Sequence, residues 1–276
     1  MTILVTGARG KIARKLVRLL LDGGHDVRAA GRDPSAACLP PGVEVVAADL
    51  ADPGTLGPAL KGARTVFAYA DRGGLDGFAR RAAGAGVEHI VLLSAAGASA
   101  TSGDPIARTH GAAERAVAAS GVPWTFLRAG GFASNTLQWA GTIRALGAVR
   151  DPFPESRSAP VHEADVAAVA PAVLTGTGHR GGAPVLTGPE TLTRRRQAEL
   201  IGEALGRRLA FEVQDLAEHR RDLARWGPPE VVEALVRHAA EAVRAPLPPT
   251  GAVEEITGRP ARTFAAWARD HRDAFA

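Results

Sequence analysis

The chain has 276 residues, 46% of them apolar, a formal charge of +4 and a single cysteine, Cys38. That length can bury a substantial core, one cysteine excludes an internal disulfide and a multi-cysteine zinc site, and no apolar run approaches the roughly 18 residues of a membrane span. The basic pI, near 9.9, comes from arginines interleaved with acids, as in AEHRRDLARW and WARDHRDAF, which is the pattern of solvated helix faces and not of a nucleic-acid surface. The one tight run, Arg194-Arg195-Arg196, sits at an expected helix start. The expectation is a soluble, cytoplasmic protein whose partner is a small molecule, with no nucleic acid, no membrane and no metal.

In chain order, apolar strands are expected over residues 2–5, 26–30, 43–47, 65–68, 89–93 and 124–128. Helices with apolar residues at helical spacing are expected over 12–21, 55–60, 75–85 and 111–120. Strands that are apolar throughout, separated by helices, belong to a parallel sheet covered on both faces. Glycines punctuate the breaks at Gly23-Gly24, Gly86 and Gly121. The fold class is therefore α/β, a Rossmann-type doubly wound parallel sheet. After residue 150 the regularity loosens. A Pro/Ser-rich loop is expected over 151–160, then a helix over 165–174 and a short strand near 184–187, and from Leu192 the chain is mostly helical. This divides it into a dinucleotide-binding domain over 1–150, with 161–188 returning to it, and a smaller, mostly helical C-terminal substrate lobe over 189–276.

The stretch VTGARGKIA carries the clearest chemistry. Gly7 permits a tight turn after the first strand, Gly10 lets backbone approach a pyrophosphate, and Ala13 is small enough for helix to pack on strand. A preceding strand, a following helix and a second strand at the right distance make this a dinucleotide site. The second strand ends AAGRD, placing Arg32 where an NAD-specific site keeps an acid, with Arg9 in the turn as a second guanidinium. Both suit a 2′-phosphate, so the expected cofactor is NADP(H). Asp33 is read as the cap of the next turn, before Pro34. Asp49, after the third strand, reads equally as an adenine contact or a turn acid.

VTGARGKIARKLVRLLLDGGHDVRAAGRD, GVEVVAADLADPGTLGPALKGARTVF, GVEHIVLLSAAGA, AAERAVAASGVPWTFLRAGGFASN and VHEADVAAVAPAVL, in this order, resemble the NmrA-like branch of the atypical short-chain dehydrogenase/reductases. The ending VEEITGRPARTFAAWARDHRDAF resembles NAD(P)H-binding members related to quinone reductases. The resemblance implies that Gly7, Arg9, Gly10, Lys11 and Ile12 line the pyrophosphate and Arg32 the 2′-phosphate. It implies that Asp49 and Leu50 flank the adenine and that Ala68, Tyr69 and Ala70 border the nicotinamide-side ribose. Ser94 matches the family's serine position, and Phe132 and Asn135 would lie around nicotinamide and substrate.

The Tyr-x-x-x-Lys pair of the ordinary enzymes is missing. The only tyrosine is Tyr69, no lysine follows Lys61, and in DPIARTHGAAERAV the lysine's place falls to His110 and the tyrosine's to Ile106. His110 reads either as a functional substitute, a ribose contact or general acid that with Ser94 polarises or protonates the acceptor oxygen, or as a cap of the helix start. His162 is a further acid, base or substrate candidate, with Asp165 reading first as a helix N-terminal acid. Trp139, Phe153 and Trp226 are candidates for an apolar substrate pocket, each with core packing as the plainer role. The function expected is an NADP(H)-dependent oxidoreductase passing hydride to a quinone-like or conjugated carbonyl compound, in secondary metabolism. The alternatives are a non-redox biosynthetic enzyme on the same fold and a dinucleotide-sensing regulator.

Overall fold

A computed structural model of the chain describes residues 2–71 and 73–276, apart from the side chain of Trp226. Its strands are β1 (Thr2–Thr6), β2 (Asp26–Gly31), β3 (Glu44–Ala47), β4 (Ala63–Tyr69), β5 (His89–Ala95), β6 (Trp124–Ala129), β7 (Ala148–Arg150), β8 (Arg157–Ser158), β9 (Val185–Leu186), β10 (Leu192–Thr193) and β11 (Ala210–Glu212). Its helices are α1 (Lys11–Asp22), α2 (Leu56–Leu60), α3 (Asp76–Gly84), α4 (Pro105–Ala119), α5 (Ala140–Leu146), α6 (Glu163–Thr175), α7 (Arg194–Leu205), α8 (Leu216–Leu223), α9 (Pro229–Glu241), α10 (Ala252–Thr257) and α11 (Phe264–Asp270). None is long and apolar enough to cross a membrane.

Seven strands form one parallel sheet in the order β3-β2-β1-β4-β5-β6-β9. The order reverses after β1, so the crevice at the carboxyl ends of β1 and β4 is the switch point where this architecture receives ligands. Ile3, Leu4 and Val5 are buried, as are Val66, Phe67 and Ala68, because helices cover both faces of the central strands. α1 turns Ala13, Leu16, Val17 and Leu20 inward and packs on α6, a thirteen-residue helix of which nine residues are buried.

The helix expected from residue 111 begins at Pro105, six residues earlier. Asp104 caps it, its carboxylate accepting from the amides of Ile106 and Ala107, and Pro105 takes the first helical position, where a missing N–H costs nothing. Residues 151–160 are not all loop, since β8 pairs antiparallel with β10.

The chain forms two compact units that differ from the expected division at 150 and 189. The sheet unit ends its first segment at Ala129, recovers Glu163–Leu186, and takes Ala252–Gly258 from near the C-terminus. The second unit comprises Gly130–His162, Thr187–Gly251 and Arg259–Ala276. Packing explains both corrections. Trp139, Ile143 and Val149 share a core with Ile201, Phe264 and Trp267, whereas α10 packs on α6 and β9.

His89, at the start of β5, is fully buried. Thr125 Oγ1 donates to the His179 carbonyl at 2.8 Å, so it accepts from His89 Nε2 at 3.0 Å, which leaves Nδ1 the bare nitrogen, without a partner among the described residues. Burial, with Arg180 adding to it, pushes the imidazole down to about 4. The unfolded chain therefore takes up a proton near 6.5 that the folded chain refuses until about 4. Stability falls as pH drops through that window, by about 3 kcal/mol from this group. In chemical denaturation at pH 7 and pH 4.5, His89→Leu should lose less stability between the two than the parent does. An equal loss in both proteins would show that His89 does not set this part of the acid limb.

Candidate active site

β1 runs into a turn at Gly7, whose φ of +71° is costly for any residue with a Cβ. A Cβ there would also stand 2.9 Å from Tyr69 Cε1. The Gly10 amide closes the turn on the Gly7 carbonyl at 2.7 Å, and the Ala8 amide ties it to Ala30 on β2 at 3.0 Å. Gly10 is the cap residue of α1 and has no side chain to satisfy the first-turn amides, nor does that turn contain an acid. The amides of Lys11, Ile12 and Ala13 therefore face outward as donors at the positive end of a twelve-residue helix. A dianionic pyrophosphate fits this cradle in charge, donor type and close backbone approach.

Around the turn, a narrow crevice is lined by Thr6, Gly7, Gly31, Leu50, Tyr69 and Phe78. Arg9 and Lys11, in and just after the turn, and Arg32, which follows Gly31 in the chain, are exposed. Asp33 is committed locally, accepting from the Ser35 hydroxyl at 2.6 Å and the Ser35 amide at 3.1 Å. That hydroxyl, with the Arg9 charge contributing, lowers the Asp33 carboxyl. Asp49 is likewise a turn acid, accepting from the Ala51 amide at 3.0 Å. Half-buried Tyr69 has its phenol pushed up by burial, and the charges that bear on it are Asp71, Arg32, Asp49 and Arg9. The ring stands over Gly7 and lines the crevice with Gly31 and Leu50. Ala68 is buried and Ala70 hangs on the Leu93 carbonyl at 3.3 Å.

At the other side of the switch point, Ser94 at the end of β5 is buried and donates its hydroxyl to Glu114 Oε1 at 2.7 Å. Glu114 also receives the Arg128 fork, Nε to Oε1 at 2.9 Å and Nη2 to Oε2 at 2.6 Å. Composition and spacing did not single out Glu114 or Arg128. The available signals were an arginine inside the apolar strand WTFLRA and an acid one helical turn after His110. His110 is half-buried, and its Nδ1 is buried with no hydrogen-bond partner among the described residues. Burial lowers its pKa, opposed by Glu114, so the imidazole is neutral at neutral pH. It is not a capping group; Asp104 has that role.

The remaining candidates belong to the second unit. His162 is 3% exposed, and its Nε2 meets Asp270 Oδ2 at 3.3 Å. Its ring lies against His271, which stacks on Trp267. Phe132 is half-buried and bridges to Val161, and Asn135 is exposed on the following turn. Trp139 is 3% exposed inside the second unit's core, its indole nitrogen without a partner among the described residues. Phe153 packs on Leu223, Val232 and Val236 beneath the Arg194 guanidinium, 5.9 Å from the ring centre. Trp226 lies outside the described side chains. No group of three or more metal-ligating side chains occurs among the described residues.

A parallel sheet with a glycine turn at its switch point and a bare helix start beside it defines a dinucleotide-binding Rossmann protein. Residues 7–177 match the model of an NAD(P)H-binding family. Over 99% of both chains, the protein is 42% identical to (4-alkanoyl-5-oxo-2,5-dihydrofuran-3-yl)methyl phosphate reductase of Streptomyces griseus. Over 99% of both chains it is 34% identical to NAD(P)H azoreductase of Xenophilus azovorans. The NADPH-dependent quinone oxidoreductase of Escherichia coli, 23% identical, superimposes with a TM-score of 0.81 over 97% of this chain and 98% of that one. The chain belongs to the NAD(P)H-binding, NmrA-like atypical short-chain dehydrogenase/reductases. It is an NAD(P)H-dependent reductase without the Tyr-x-x-x-Lys pair.

Proposed function

We propose that this reductase uses NADP(H) and delivers hydride to a conjugated, electron-poor small molecule, a quinone-like compound or an enone such as an acylated butenolide phosphate, within secondary metabolism. The observation that carries the reading is the state of Ser94. Its proton is given to Glu114, and no tyrosine–lysine pair stands beside it. An isolated ketone needs an acid at its oxygen as hydride arrives. A conjugated acceptor spreads the incoming charge and tolerates a site with only a neutral imidazole. The Streptomyces relative's name describes such a substrate, an alkanoyl dihydrofuranone phosphate.

When bound, the cofactor supplies hydride from C4 of its nicotinamide. The chain's part is to bind and orient. The outward amides of Lys11 and Ile12 and the open face of Gly10 would hold the pyrophosphate, Arg32 and Arg9 the 2′-phosphate, and Leu50 and Tyr69 the adenosine side. His110 would hold or return a proton at the acceptor oxygen.

Two results test this. NADPH titrated by fluorescence should bind, and should then be oxidised by a quinone or an acylated butenolide but not by a simple dialkyl ketone. Equal turnover of the ketone, or oxidation by none of them, would sink the reading. In the same titration Arg32→Ala should weaken NADPH about tenfold or more while leaving NADH within about threefold, since only NADPH loses a charge-assisted contact. Equal weakening of both would remove Arg32 from the 2′-phosphate.

A further inference from the structure

Glu114 is buried, yet it takes three hydrogen bonds from two strands while sitting on α4. Ion pairs withdrawn from water return little stability over an apolar pair of the same volume. Packing alone therefore does not explain a carboxylate here. Its place does suggest a reason. Ser94 and Arg128 fasten it to the carboxyl ends of β5 and β6, and one helical turn earlier stands His110, with a buried nitrogen that nothing in the described structure satisfies. Glu114 on the same helix is the charged group that bears on this imidazole, with Arg128 of β6 lying behind it. Gly111, next to His110, leaves no room for a Cβ against the backbone of Ser99 and Ala100, so α4 lies close on that segment here.

We propose that Glu114 is a positioning residue of the reductase, tethered by Ser94 and Arg128, that holds α4 and its His110 at the strand ends and keeps a negative charge beside the imidazole. The inference rests on the reductase reading above. It reassigns Ser94 from polarising the substrate to anchoring Glu114. His110 becomes the group at this end of the sheet that touches the substrate or the ribose.

The test uses the full-length chain in two states. Without cofactor, histidine ring resonances are followed by NMR against pH, His110 being assigned by its loss in His110→Ala. Glu114→Gln should move the His110 midpoint to lower pH, because the charge favouring imidazolium is gone while the burial stays. With NADPH and a quinone, Glu114→Gln should lower kcat by about tenfold or more, with the KM for NADPH within about threefold, as loss of orientation demands. Ser94→Ala removes one of the two tethers and leaves the Glu114–Arg128 pair intact, so it should lower kcat in the same direction but by less than Glu114→Gln does. The double variant Glu114→Met with Arg128→Met removes both charges together and keeps the packing, so it should fold even where the single variant does not. It should show the same lowered midpoint and slow turnover. A parent-like His110 midpoint in either folded variant, or unchanged kcat, would overturn the inference while leaving the reductase reading intact. A parent protein that binds NADPH and reduces no acceptor would overturn that reading instead, and the cofactor-free titration would still decide whether Glu114 acts on His110.

Discussion

Gly7→Val should raise the NADPH dissociation constant by about a hundredfold, or abolish measurable binding. The position is left-handed, and a β-branched residue there is a true outlier, with strain of about 1–3 kcal/mol. A Cβ would also press on the Tyr69 ring at 2.9 Å, displacing either the ring or the turn. Either movement re-aims the first-turn amides of α1, whose direction constitutes the phosphate cradle. Since 1.4 kcal/mol is a factor of ten, strain of this order released by leaving the cradle's shape accounts for the expected loss. Fluorescence titration with NADPH measures it, and a thermal melt of the variant separates lost binding from lost fold. Binding within threefold of the parent, in a folded variant, would dismiss the turn as the pyrophosphate site.

The largest stability effect is expected at Gly111. An alanine Cβ there would sit 2.1 Å from the Ser99 carbonyl carbon and 2.2 Å from the Ala100 nitrogen, both backbone atoms. Alanine gains about 1 kcal/mol of helix propensity over glycine, but forced overpacking against backbone costs about 3 kcal/mol and displaces the helix. The second term wins. Gly111→Ala should therefore lose about 2 kcal/mol net, visible as a lower denaturation midpoint at unchanged slope. It should also slow turnover, because His110 moves with α4. A neutral or stabilised variant would mean that the loop at Ser99 yields easily, and the rigidity of α4 would have to be sought elsewhere.

The glycine turn was legible from sequence because its signals are local: strand, turn and helix start lie within a dozen residues, and each glycine has its own steric reason. The strands of the sheet were legible because burial on both faces leaves runs such as Ile90-Val91-Leu92-Leu93 with nothing polar to confuse the period. Glu114 was not, since its partners stand fourteen and twenty residues away and meet it only when β5 and β6 pair. The start of α4 was readable in Asp104-Pro105, a cap followed by a first-turn proline, yet the apolar spacing beginning at Gly111 drew the boundary too late. The division at 150 failed for a different reason. Nothing local in the stretch from Gly130 to Arg150 says which core it joins, and only the shared burial of Trp139, Ile143 and Trp267 shows it.

The interleaving of the two units bears on how the chain is made. A growing polypeptide has β1 to β6 in hand once Ala129 has emerged, but the strand that covers the outer edge of β6 is β9, at Val185–Leu186, and the helix packed on β9 begins only at Ala252. At translation rates of about 5–20 residues per second, β6 spends several seconds of every synthesis as an open, largely apolar sheet edge. Such an edge is a template for pairing with the wrong strand, its own or a neighbour's. Arg128 gives this one a charge near its end, and crowded expression, rather than heat, is where the protein should first be lost to aggregation.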